Sequence, residues 1–153
     1  MAMNDVMVCK IFTFDSSHQL LNHKGKCANV HGHTYKLEVR LKGQTNKEPL
    51  SSDEGFVIDF ADMKSVIKKE LLTDLDHAFL AQGNEPIVKQ LLDSGSKVYE
   101  LGFRTTVENL AIYICWKLKE LKLPVYSVRL WETPTGWAEV LAHEIPEDGP
   151  TFF

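Results

Sequence analysis

The chain has 153 residues, 44% hydrophobic and 25% charged, a balance that fits one globular domain spanning 1–153 without disulfide staples. A formal charge of −4 with scattered basic residues argues against a nucleic-acid partner, and no apolar run approaches the ~20 residues needed to cross a bilayer. The polar start Met1-Ala-Met-Asn-Asp5 lacks a signal-peptide pattern, and Cys9, Cys27 and Cys115 are too irregular for a disulfide framework, so a reducing cytoplasm is expected.

In chain order, Phe12 and Phe14 alternate with Thr13 and Asp15, a strand pattern. A cleaner one follows, with Tyr35, Leu37, Val39 and Leu41 alternating with Lys36, Glu38, Arg40 and Lys42. Gly43 to Gly55 reads as loop, and Phe56-Val-Ile58 is a short apolar run. Asp59 is a plausible N-cap for a helix carrying Phe60, Met63, Ile67 and Leu71 on one stripe. Gln82 to about Ser96 reads as a second loop with one helical turn after Pro86, and Lys97–Leu101 as a strand. Thr105-x-x-Glu108 has the capping-box pattern, ahead of a stripe of Val107, Leu110, Ile114, Leu118 and Leu121, with Pro124 marking the end. Tyr126, Val128 and Leu130 alternate with Ser127 and Arg129, and Thr133-Pro-Thr-Gly136 turns the chain into Trp137–Leu141. The order predicts an α+β fold, an antiparallel sheet with two helices on one face. Cys9 and Cys115 are expected to be buried, and His23 and His143 to lie on the surface.

His31-Gly-His33 is the densest chemical signal. Two histidines two apart on a strand point to one face, here the apolar face of Tyr35, Leu37 and Val39. His18 follows the Phe12/Phe14 strand on the same parity as those aromatics, so an adjacent antiparallel strand brings it alongside. Three imidazoles leave a fourth coordination position open, as in catalytic zinc sites. Cys27 lies four residues before His31, next to Lys26, and a nearby metal and cation would favour its thiolate. Two readings of Cys27 stay open, a catalytic thiol or a fourth ligand of a structural zinc. Asp76 and His77 are adjacent and can form a polarised pair. Glu132 shares the even parity of Val128 and Leu130, and a carboxylate on an apolar face needs a partner. It could clamp an N–C–N edge with two hydrogen bonds, or turn outward to water.

Six segments resemble the 6-pyruvoyltetrahydropterin synthase and 6-carboxytetrahydropterin synthase family of the tunnelling fold. They are Phe14-Asp-Ser-Ser-His18, Cys27-Ala-Asn-Val-His-Gly-His-Thr-Tyr35, Val57-Ile-Asp-Phe60, Leu75-Asp-His77, Thr105-Thr-Val-Glu-Asn-Leu-Ala111 and Trp131-Glu-Thr133. The resemblance implies an antiparallel four-stranded sheet with two helices on one face, assembling into an oligomeric barrel, expected to be a homohexamer. It implies one zinc per subunit on His18, His31 and His33. Cys27 matches the catalytic base, Asp76 and His77 the proton relay, Glu132 the pterin anchor, and Thr105 and Thr106 the turn lining the pterin pocket. The implied substrate is 7,8-dihydroneopterin triphosphate. Three residues between Cys27 and His31 resemble the carboxy branch of queuosine synthesis, which also releases triphosphate and acetaldehyde. The pyruvoyl enzymes of tetrahydrobiopterin synthesis are the alternative, and a non-catalytic zinc-stabilised binding module is another. A zinc hydrolase ranks last, because no His-Glu-x-x-His pattern is present. Thr105-Thr106 stands where the family commonly has Pro-Thr, Ala81 where it often has Asn, and the segment 82–101 is longer than the family pattern.

Overall fold

Two long strands, β1 (Val6–His18) and β2 (His31–Gly43), pair antiparallel along their whole length and form the spine of the fold. The computed structural model describes residues 4–152. Period-2 alternation sets the two faces. Phe12, Phe14, Ser16 and His18 are buried with Tyr35, Leu37, Val39 and Leu41, while Thr13, Asp15, Thr34 and Lys42 face solvent. The register puts Phe14 opposite Tyr35, whose rings stack with centroids 5.0 Å apart, and His18 opposite His31.

Beyond β2, β5 (Val125–Thr133) and β6 (Gly136–Leu141) continue the sheet antiparallel. Beyond β1, β3 (Ala78–Ala81) and β4 (Val98–Glu100) add parallel neighbours, giving the order β4-β3-β1-β2-β5-β6. The sheet is therefore mixed and six-stranded, which corrects the expected antiparallel four. All four residues of β3 are buried, so the strand has no polar alternation for a sequence pattern to detect. The predicted strand at Lys97–Leu101 is β4, and Phe56-Val-Ile58 forms no strand but leads into the first helix.

α1 (Phe60–Ile67) begins at Asp59, whose carboxylate accepts the Ala61 N–H at 2.6 Å. It runs through a π-helical turn (Lys68–Leu72) into the short α2 (Thr73–Leu75). α3 (Ile87–Asp93) is a third helix where a single turn was expected, and its Val88 packs with Phe79 and Ala81. α4 (Val107–Glu120) follows the predicted stripe. Met63, Ile67, Leu71, Leu110, Ile114 and Leu118 close over Tyr35, Leu37, Val128 and Leu130 in one core. Each fully buried aliphatic side chain there contributes about 1.5–3 kcal/mol of transfer free energy.

Two local expectations change. α4 is capped by Thr106, whose hydroxyl accepts the Asn109 N–H at 3.4 Å, and not by Thr105 in a box with Glu108, because Thr105 is buried. Cys9 is exposed, since its odd position on β1 faces away from the core, opposite Arg40. Cys115 is buried in α4, which pushes its thiol up to about 11, and His23 and His143 are exposed as expected. No helix among the described residues is long and apolar enough to cross a membrane.

Candidate metal centre

Strand parity and register bring three imidazoles together at one end of the β1–β2 pair. Among the described residues, His18, His31 and His33 place one ligand nitrogen each within 4.8 Å of one another. The His18 ring lies 4.6 Å from that of His31 and 5.3 Å from that of His33, centroid to centroid. His18 is fully buried, and the other two are half-buried.

Backbone carbonyls orient two of the rings. His18 Nδ1 lies 2.8 Å from the Thr105 carbonyl oxygen, and His31 Nδ1 lies 2.7 Å from that of Asn29. A carbonyl only accepts, so each Nδ1 carries the proton and each Nε2 presents a bare lone pair. Those Nε2 atoms are 3.1 Å apart, too close for two lone pairs with nothing between them. Ligands on a tetrahedral zinc at ~2.0–2.1 Å stand about 3.3 Å from each other, so the spacing fits a shared ion. His33 Nε2 is buried without any hydrogen-bond partner, a third nitrogen in need of one.

Electrostatics point the same way. Burial holds His18 down to about 4, with further lowering from His31 and His33, and burial also lowers His33. Burial thus favours the neutral form of His18 and His33, the form that metal binding requires. Glu132 Oε1 sits 3.8 Å from His18 Nε2 and 3.7 Å from His33 Nε2. With His18 neutral this is no ion pair. A carboxylate facing imidazole lone pairs is a cation-seeking arrangement, and the residues present fit a zinc ion.

Glu132 reaches the site because Val128 and Leu130 set its face, although the β5–β6 register shifts between Trp131 and Thr133. Such a bulge re-aims a side chain. Burial raises the Glu132 carboxyl above its ordinary value, and the charge of Glu108 raises it further. Glu108, in the first turn of α4, is close enough for its charge to be felt at Glu132. Tyr35, two residues beyond His33, has a buried hydroxyl with no partner, and its titration is pushed up by burial and by Glu132 and Cys27.

Thr105 supports His18, with its hydroxyl 3.3 Å from Nδ1 beside the carbonyl bond, whereas Thr106 serves as the helix cap. Cys27 lies in a 3-10 turn (Lys26–Ala28), half-buried, and does not belong to the ligand cluster. Asp76 and His77 do pair, Oδ1 to Nδ1 at 3.0 Å, with His77 largely exposed and Asp76 half-buried. They stand just before β3, so β1 separates them from the strand that carries His31 and His33. His77 and the His33 segment both border a cleft of about 670 Å³, with Asp15, Thr34 and Lys97.

The sequence model described as 6-pyruvoyl tetrahydropterin synthase matches residues 7–143. The chain is 44% identical over 137 residues to the 6-carboxy-5,6,7,8-tetrahydropterin synthase of Haemophilus influenzae, covering 86% of this chain and 96% of that one. Among solved structures, the Caenorhabditis elegans 6-pyruvoyl tetrahydropterin synthase aligns with a TM-score of 0.66 at 27% identity, over 92% of this chain and 98% of that one. The Plasmodium vivax 6-pyruvoyl tetrahydropterin synthase shares the fold, with a TM-score of 0.67 at 20% identity over 90% and 97% of the two chains.

Proposed function

Because the chain belongs to the 6-pyruvoyl tetrahydropterin synthase family, matching it over residues 7–143, we propose that it is a zinc-dependent lyase converting 7,8-dihydroneopterin triphosphate to 6-carboxy-5,6,7,8-tetrahydropterin. The observation that carries this reading is the convergence of three imidazoles, two of them with Nδ1 tied to backbone carbonyls. The carboxy product, and with it a place in queuosine synthesis, is favoured by the relative at 44% identity that bears that name and by the three-residue spacing from Cys27 to His31. The substrate, and the release of triphosphate and acetaldehyde, follow from the family resemblance.

His18, His31 and His33 would hold the zinc, which would supply Lewis acidity toward the hydroxyls of the substrate side chain. The chain's own residues divide the remaining work. Cys27 takes the proton from the side-chain carbon as a thiolate base. Glu132 offers negative charge to the N–H edge of the pterin ring. The Asp76–His77 pair relays the proton, His77 held by the carboxylate at its Nδ1. Thr105 keeps the His18 ring in its orientation. The position of Cys27 outside the ligand cluster speaks against a purely structural zinc module.

Asp76 and His77 are separated by β1 from the strand bearing His31 and His33, and the His77 side chain is largely exposed. We infer that they complete the site of a neighbouring subunit, within a homo-oligomer, as a hexamer of two stacked trimers would arrange. Trp137, 45% exposed on the terminal hairpin, is an apolar group suited to such an interface.

The test is to incubate the zinc-loaded protein with 7,8-dihydroneopterin triphosphate and identify the products. The proposal expects 6-carboxytetrahydropterin, with acetaldehyde and triphosphate in equal amounts. A pyruvoyl product without acetaldehyde would move the chain to the other branch, and an unchanged pterin would refute the lyase reading.

A further inference from the structure

The segment 82–101, with α3 and β4, has no part in the chemistry above. It leaves β3, packs Val88 against Phe79 and Ala81, and returns parallel to β3. What the return delivers is Lys97, the residue just before β4. Its carbonyl accepts the Phe79 N–H at 2.9 Å, which fixes its backbone beside the start of β3. Its ammonium donates to the Asp76 carbonyl at 2.8 Å and to the Thr73 carbonyl.

Those carbonyls close the C-terminal end of α2, where the helix leaves acceptors unpaired and a cation is favoured. Immediately afterwards the chain reverses through His77 at φ 58°, a left-handed conformation that a bulky side chain keeps only when its surroundings hold it. β1 supplies one clamp. Asp15 N–H donates to Asp76 Oδ1 at 2.9 Å, and the Asp15 carbonyl accepts the His77 N–H at 2.7 Å. Lys97 is the second clamp, acting on the carbonyls. Burial disfavours ionised Asp76, but the Asp15 N–H, His77 and, last, the charge of Lys97 together favour it, the form that orients His77.

We propose that Lys97 is a positioning residue that holds the Asp76–His77 turn in register for proton relay, and that the α3–β4 excursion exists in the fold to deliver it. The inference rests on the reading of Asp76–His77 as the relay.

The experiment compares the zinc-loaded, assembled wild type with Lys97→Met, Lys97→Arg, His77→Ala and the Lys97→Met/His77→Ala double variant. Lys97→Met should lower kcat roughly tenfold at unchanged KM and zinc content, as misplaced catalytic groups do. Lys97→Arg, which keeps a cation within reach of the carbonyls, should recover most of that loss. In the His77→Ala background, Lys97→Met should cost nothing further, because its effect runs through His77. An equal loss in that background would mean a general structural effect and would overturn the proposal, as would a rise in KM at constant kcat. Full kcat in Lys97→Met, with His77→Ala impaired, would sink Lys97 alone. Full kcat in His77→Ala would sink the relay reading and the inference with it.

Discussion

Replacing Glu132 by glutamine keeps the shape of the side chain and removes its charge. The carboxylate lies 3.8 Å from His18 and 3.7 Å from His33, and only a quarter of it is exposed. Burial there makes any hydrogen bond it accepts from a pterin N–H charge-assisted and poorly solvated. Such a bond is worth roughly 1.5–3 kcal/mol. At about 1.4 kcal/mol per factor of ten, pterin affinity should fall between roughly tenfold and somewhat over a hundredfold. The assay is calorimetric titration of wild type and Glu132→Gln with a non-reacting pterin, zinc content being measured in both samples. That control separates loss of the ring contact from loss of metal, because the carboxylate also faces the imidazoles. Unchanged affinity at equal zinc content would refute the assignment.

Three other outcomes follow from the same geometry. His33→Ala should strip zinc from the purified protein, and full occupancy measured by atomic absorption would overturn the ligand set. Light scattering should give a mass several times 17.4 kDa, and mixing inactive Cys27→Ala with inactive His77→Ala subunits should restore part of the activity, whereas no recovery despite proven exchange would place both groups in one chain's site. Ile114→Ala removes a fully buried side chain from the core between α4 and the sheet. It should cost about 2–5 kcal/mol in denaturant unfolding, and a loss under 1 kcal/mol would contradict that packing.

How much of this was legible in the sequence depends on the range of the interaction. His31 and His33 share the face of Tyr35 because strand alternation is local, and His18 falls opposite them because β1 and β2 pair antiparallel in one continuous register. Glu132 reaches the predicted face even across the shift between Trp131 and Thr133. β3 was hidden because its four residues are all apolar and buried, a pattern that a helix tail shows equally well. The cap of α4 slipped from Thr105 to Thr106 because two adjacent threonines satisfy the same local rule, and only the tertiary demand of His18 for the Thr105 carbonyl decides between them. Cys9 departs from the expected burial because a small residue follows the parity of its strand, and its odd position faces outward. Lys97 could not be found at all, since its partners are backbone carbonyls more than twenty residues away, which leave no mark in residue type. Glu108 was visible only as a helix-start residue, and its influence on Glu132 depends on how α4 meets β5.

In the proposed site, three histidines hold the metal while Cys27 does chemistry beside it. Zinc content and turnover of Cys27→Ala, measured on one preparation, test that division most directly. The expected result is one zinc per chain, equal to the wild type, with turnover reduced by a factor on the order of 10²–10⁴, the usual worth of a general base. Loss of zinc together with the thiol would make Cys27 a ligand and the site a structural one, and undiminished turnover would remove Cys27 from the reaction.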